Sequence, residues 1–247
     1  MLLILTGLLP AMNIWNGLKW KAYLDWNAQV SKKSAGASSA NFPTTFNFGF
    51  DARNYLPIYR NIIWAVRAAG DFSWGNQKFI YYLGGVDNWL FPKFNSANKP
   101  DPDVSYSYQS LAENLRGFKQ NVANGNNAVV INSEIRAPVF TSFFNKPINN
   151  AFLRNFQVIQ FFDLGSAWNG RFDKLERPGV TYPSDPNAVS PVLVQIKAGG
   201  IGPFAGGYGF GARSTLLGYF LRLDAGWEMK GVFRGKPMWY FSMGLDF

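Results

Sequence analysis

Between Met238 and Phe247 the side chains alternate, with Trp239, Phe241, Met243, Leu245 and Phe247 set against Tyr240, Ser242, Gly244 and Asp246. A period of two places successive side chains on opposite faces of a strand. The same pattern runs through the preceding segment. Leu217, Tyr219, Leu221, Leu223, Ala225, Trp227 and Met229 oppose Gly218, Arg222, Asp224, Gly226, Glu228 and Lys230, with Phe220 as the exception. Further back, Ile131 and Ile135 oppose Asn132, Glu134 and Arg136; Trp64, Val66 and Ala68 oppose Arg67 and Asp71; Phe46, Phe48 and Phe50 oppose Asn47, Asp51 and Arg53; and Leu18, Trp20, Leu24 and Trp26 oppose Lys19, Lys21 and Asp25. The pattern predicts an all-β chain of about nine strands, at 14–30, 43–55, 60–74, 77–89, 127–141, 152–168, 205–216, 217–230 and 237–247.

These segments exceed the 5–6 residues typical of a soluble strand. Runs of roughly ten alternating residues edged by Trp and Tyr suit tilted strands that cross a bilayer, with the charged face turned to a wet interior. The links are unequal too. Short ones at 74–77 and 215–218 contrast with long ones at 90–126 and 169–204, whose Pro, Asn, Asp and Ser content reads as turns. The expected fold is therefore an antiparallel transmembrane β-barrel of outer-membrane type. A large soluble sandwich also alternates, but it would have to leave whole faces of Trp, Tyr and Phe in water.

Composition removes several chemistries. The 247 residues contain no His and no Cys, so a Ser-His-Asp triad, a thiolate nucleophile, a zinc finger and a disulfide framework are all excluded. Ser166 and Ser242 have no His partner, and no enzymatic activity, metal or cofactor is expected in the chain. Aromatic residues make up 17% and the net charge is +9, which suits contact with lipid phosphates or acidic polypeptides; no nucleic-acid partner is expected. Residues 1–13 read as an apolar leader or a piece of a truncated upstream segment, because Pro10 interrupts them and no Lys or Arg precedes their apolar core. Residues 14–247 read as the barrel domain, in part.

An ordered set of motifs then adds a resemblance. Leu115-Arg116-Gly117-Phe118 stands in the long 90–126 loop, followed by Glu134 on one strand, Phe162-Asp163-Leu164-Gly165 on the next, three closing strands, and a terminal Phe247. This set resembles the carboxy-terminal barrel of the bacterial surface antigen family, the outer-membrane protein assembly and translocation barrels. The tetrad looks like the family's Val/Ile-Arg-Gly-Phe/Tyr loop motif, and residues 162–165 look like part of its Phe-x-Asp-x-Gly strand motif. The match spans about residues 77–247; the earlier strands carry no motif. The resemblance implies a loop locked inside the lumen by Arg116 on Glu134 and Asp163, with Gly165 leaving room on the inner wall, and an assembly signal ending in Tyr240 and Phe247.

The residues support such a lock. Glu134 and Asp163 both fall on the polar face, and a guanidinium grips carboxylates in a planar, bidentate way that Lys does not reproduce. Gly117 would allow a tight turn, and Phe118 would pack where Gly165, Gly209 and Gly211 leave space. The competing arrangement makes Arg116 a solvated loop charge and gives the carboxylates to Arg136, Arg213 or Arg222.

The family barrel has sixteen strands, so the nine here would be its carboxy-terminal half, since an open sheet cannot stand in lipid. By resemblance the chain is expected in the outer membrane of a Gram-negative bacterium. There it would insert or translocate polypeptide clients and depend on the barrel-assembly machinery for its own insertion. The alternative is a passive channel, or a membrane anchor for an upstream soluble domain.

Overall fold

A computed structural model describes residues 2–7, 16–28, 44–111, 114–143, 147–172, 179–182, 194–197, 203–229 and 235–245. In chain order the elements are β1 (Leu2–Gly7), β2 (Gly17–Ala28), β3 (Thr44–Tyr59), β4 (Ile62–Gly75), β5 (Lys78–Leu83), β6 (Tyr106–Leu111), β7 (Ala123–Gly125) and β8 (Asn127–Pro138). They continue through α1 (Val139–Phe143), α2 (Ala151–Arg154), β9 (Gln157–Trp168), β10 (Gly179–Tyr182), β11 (Val194–Lys197), β12 (Ala205–Leu216), β13 (Tyr219–Glu228) and β14 (Met238–Leu245). Neither helix is long enough to cross a membrane.

Nine strands form one sheet in the order β1-β2-β3-β4-β8-β9-β12-β13-β14. Every neighbouring pair is antiparallel. Among the described residues its outer strands, β1 and β14, are not paired to each other, so the sheet is not closed.

The two faces are inverted relative to a soluble sheet. Leu18, Trp20, Leu24, Trp26, Trp64, Ile131, Ile135, Phe210, Leu223 and Trp239 are exposed, while Asp71, Asn132, Glu134, Asp163, Arg213 and Asp224 on the opposite face are buried. The alternation read from the sequence thus becomes a greasy outer surface and a charged inner one. On the outside, Trp26, Phe46 and Trp74 stack across β2, β3 and β4 at 6.4 and 5.9 Å between centroids, forming an aromatic row at one end of the wall.

The wall's connections alternate in kind. At one end lie the two-residue turns 60–61 and 217–218 and the connection that carries α1 and α2; at the other lies the connection that carries β5, β6 and β7. Leu217 and Gly218 both have positive φ, 52° and 83°, as a tight hairpin between twisted strands requires. The 139–156 link begins at Pro138, which ends the ladder with β9, and Asn150 caps α2 by accepting from the Phe152 and Leu153 amides.

Several segments differ from the sequence reading: the loops 90–126 and 169–204, read as turns, hold β6, β7, β10 and β11, and the strands read at 127–141 and 152–168 run into α1 and start at α2. Residues 77–89, expected as a wall strand, contribute β5 to a separate small sheet ordered β6-β5-β7, in which β5 runs parallel to β6. Ile80, Tyr81, Tyr82 and Leu83 are all buried there, which no strand with one lipid-facing side would permit. Its place in the wall is taken by β1, within the residues read as a leader or upstream piece, which pairs in register with β2. The small sheet lies against the inner face of the wall. Leu83, Leu115, Phe118, Val122 and Ala123 of the insert form one apolar cluster with Ala69, Val130 and Ala205 of the wall.

Candidate functional site

The insert brings one charged group deep into the polar face. Leu115 is held by reciprocal backbone bonds with Gly85, both 3.1 Å, and the next residue, Arg116, is only 1% exposed. Its Nε donates to Asp163 Oδ2 at 2.6 Å and its Nη2 to Asp163 Oδ1 at 2.7 Å, a bidentate fork. The Arg116 backbone N–H adds a third bond to Asp163 at 3.1 Å, and Nη1 donates to Glu134 Oε1 at 2.6 Å. Asp224 Oδ2 lies 3.6 Å from Nη1, and the guanidinium sits 3.7 Å over the centre of the Phe161 ring.

Four arginines share three carboxylates here. Arg136 and Arg213 also bind Glu134, at 2.8 and 2.7 Å, and Arg222 binds Asp224. Burial alone would lower the Arg116 pKa, but the carboxylates of Asp163 and Glu134 outweigh it and raise it above the ordinary arginine value. The group stays cationic at every accessible pH. Asp163 and Glu134 are both held by guanidinium groups, and no described cluster of His, Cys, Asp and Glu is arranged to hold a metal.

The loop backbone is fastened separately. Gly117 donates its N–H to Tyr240 Oη at 2.8 Å, and the Tyr240 hydroxyl donates to the Phe118 carbonyl at 2.7 Å. Close approach is made possible by missing side chains. A Cβ on Gly207 would lie 1.7 Å from the Arg116 carbonyl oxygen, and one on Gly226 would lie 2.7 Å from the Gly117 nitrogen. Gly117 itself has φ +99° and faces the Trp227 carbonyl, so a side chain there would meet both strain and a clash.

The structure therefore brings Arg116, Gly117, Glu134 and Asp163 together, with Leu115 and Phe118 buried beside them. It rejects the solvated-charge arrangement for Arg116. Arg136, Arg213 and Arg222 do reach carboxylates of the cluster, but not in place of Arg116. Gly165 makes room for Leu83 rather than Phe118, while Gly209 lies under Phe161 and Gly211 under Asp224. Tyr240, expected as part of an assembly signal, is seen to fasten the loop; Phe247 lies outside the described residues. Sequence reasoning missed Phe161, Gly207, Gly226 and the carboxylate of Asp224 as parts of this site. The legible signal was their shared parity on the inner faces of β9, β12 and β13. No family model matches the chain, and no curated protein matches it.

Proposed function

We propose that this chain is part of an outer-membrane β-barrel that inserts or translocates polypeptides, with the Arg116 loop locked inside the lumen. In this reading the nine-stranded sheet is the carboxy-terminal half of a larger, sixteen-stranded barrel and faces lipid with its apolar side. The observation that carries it is the fork of Arg116 on Asp163, shared with Glu134, on a loop tied to the last wall strand by Tyr240. Two further features support it: the exposed apolar face and the buried charged face. In this reading the lock is the one the resemblance implies, and the chain carries out no reaction of its own.

The test is depletion of the protein in its Gram-negative host, followed by quantification of folded outer-membrane and secreted polypeptides. Loss of a client set that returns with the native chain and not with Arg116→Ala is expected. Unchanged clients together with reduced uptake of small anions would overturn this reading in favour of a passive channel, for which the arginine-lined inner face is the favouring observation.

A further inference from the structure

Twice on the inner wall, two arginines stand directly opposite each other in register on neighbouring strands. One pair is Arg53 and Arg67 on β3 and β4; the other is Arg213 and Arg222 on β12 and β13. Like charges in that relation repel. At the first pair the chain supplies the remedy: Asp51 accepts from Arg53 Nε and Nη2 at 2.9 and 2.7 Å, and from Arg67 Nε and Nη2 at 3.1 and 2.8 Å. At the second pair no described carboxylate bridges the two. Arg213 reaches Glu134, already shared with Arg116 and Arg136, and Arg222 reaches Asp224.

Ser242 continues the same row, opposite Arg222 on β14. Arg213 is 7% exposed and Ser242 5%, yet Arg213 Nε and Ser242 Oγ are buried with no hydrogen-bond partner. Buried donors without partners are rare in folded chains and call for a missing acceptor. Both residues, with Arg222 and Arg136, border a cavity of about 260 Å³ on the inner face. At roughly 30 Å³ per water, that space admits a tetrahedral oxyanion with part of its hydration. Two more buried atoms lack partners, Asp224 Oδ1 over Gly211 and Ser142 Oγ on α1, and both residues lie outside that lining.

We propose that Arg213, Arg222 and Ser242 form a binding site for a phosphate-class oxyanion, which does between Arg213 and Arg222 what Asp51 does between Arg53 and Arg67. The anion accepts from Arg213 Nε, from the Arg222 guanidinium and from the Ser242 hydroxyl. Its source is either free phosphate or the headgroup of a phospholipid. The site stands whatever passes through or across the wall.

The test is equilibrium dialysis of the purified protein against radiolabelled inorganic phosphate at constant ionic strength, with chloride as the balancing ion, alongside a phosphorus assay of the detergent-washed protein. Saturable phosphate binding that weakens about tenfold in Arg222→Gln, through loss of a charge-assisted bond, is expected for a free anion. Phospholipid phosphorus retained by the native chain and lost from Arg222→Gln supports the same site with a lipid source. Ser242→Ala, which removes only a hydroxyl, serves if Arg222→Gln does not fold, and is expected to weaken binding about threefold. Phosphate uptake that is unsaturable, or unchanged in both variants, with no difference in bound phosphorus, would overturn the proposal.

Discussion

The Tyr240 hydroxyl stands between two backbone groups of the lock loop, accepting from the Gly117 N–H and donating to the Phe118 carbonyl. One phenol on the last wall strand thus satisfies a donor and an acceptor that would otherwise be buried. Trp89 packs on the other side of its ring, 4.8 Å between centroids. Tyr240→Phe keeps this packing and removes both bonds. The expected cost is about 1–3 kcal/mol for the groups left unpaired. It would appear as a lower unfolding midpoint and as faster tryptic cleavage after the exposed Lys119; unchanged cleavage would show that the loop is held without Tyr240.

Arg116→Ala strips a buried guanidinium from Asp163, which is fully buried, and from Glu134. Removing one partner of a buried ion pair costs about 3–5 kcal/mol. Arg116→Lys keeps the charge without the fork, and its stability should fall between the two. Urea unfolding of the three proteins checks the order, and equal midpoints would refute a structural lock.

Gly207→Ala attacks the same loop without touching a charge, because the new methyl would occupy the position of the Arg116 carbonyl oxygen. Loss of loop protection is expected in the native background. In an Arg116→Ala background, where the loop is already released, the second substitution should add little. A double-mutant cycle measures this coupling, and additive effects would separate Gly207 from the lock.

Ile131 is 53% exposed in the middle of β8, on the apolar face. If that face meets lipid, Ile131→Arg should cost about 2–4 kcal/mol for refolding into bilayers. In a water-facing sheet the same change would be close to neutral. Refolding titrations in lipid vesicles distinguish the two.

Much of the wall could be read directly, because each strand with one buried and one exposed face writes its period into the sequence. Asn132, Glu134 and Arg136 share a face by parity alone, and the structure keeps them there. Where that asymmetry fails, so does the reading. Strand β5 is buried on both faces, so Phe79, Ile80, Tyr81 and Tyr82 give no alternation to tell an inner sheet from the wall. Strand β1, Leu-Leu-Ile-Leu-Thr-Gly, is a continuous apolar run and reads as easily as a leader. In the site, Arg116 was marked by its motif, but the stacking of Phe161 beneath it and the notch at Gly207 depend on distances between strands far apart in sequence.

The lock also has a meaning for how the wall is put together. A strand that slips by a single position turns every side chain to the opposite face. Arg116 reaches Asp163 on β9, Glu134 on β8 and Asp224 on β13, while the adjoining backbone reaches Tyr240 on β14. An error of one residue in any of the four would swing a carboxylate or the phenol out toward the greasy side and leave the guanidinium short of a partner. One side chain and the backbone beside it thereby audit the alignment of four strands at once, and a misaligned sheet is the one that cannot pack against them.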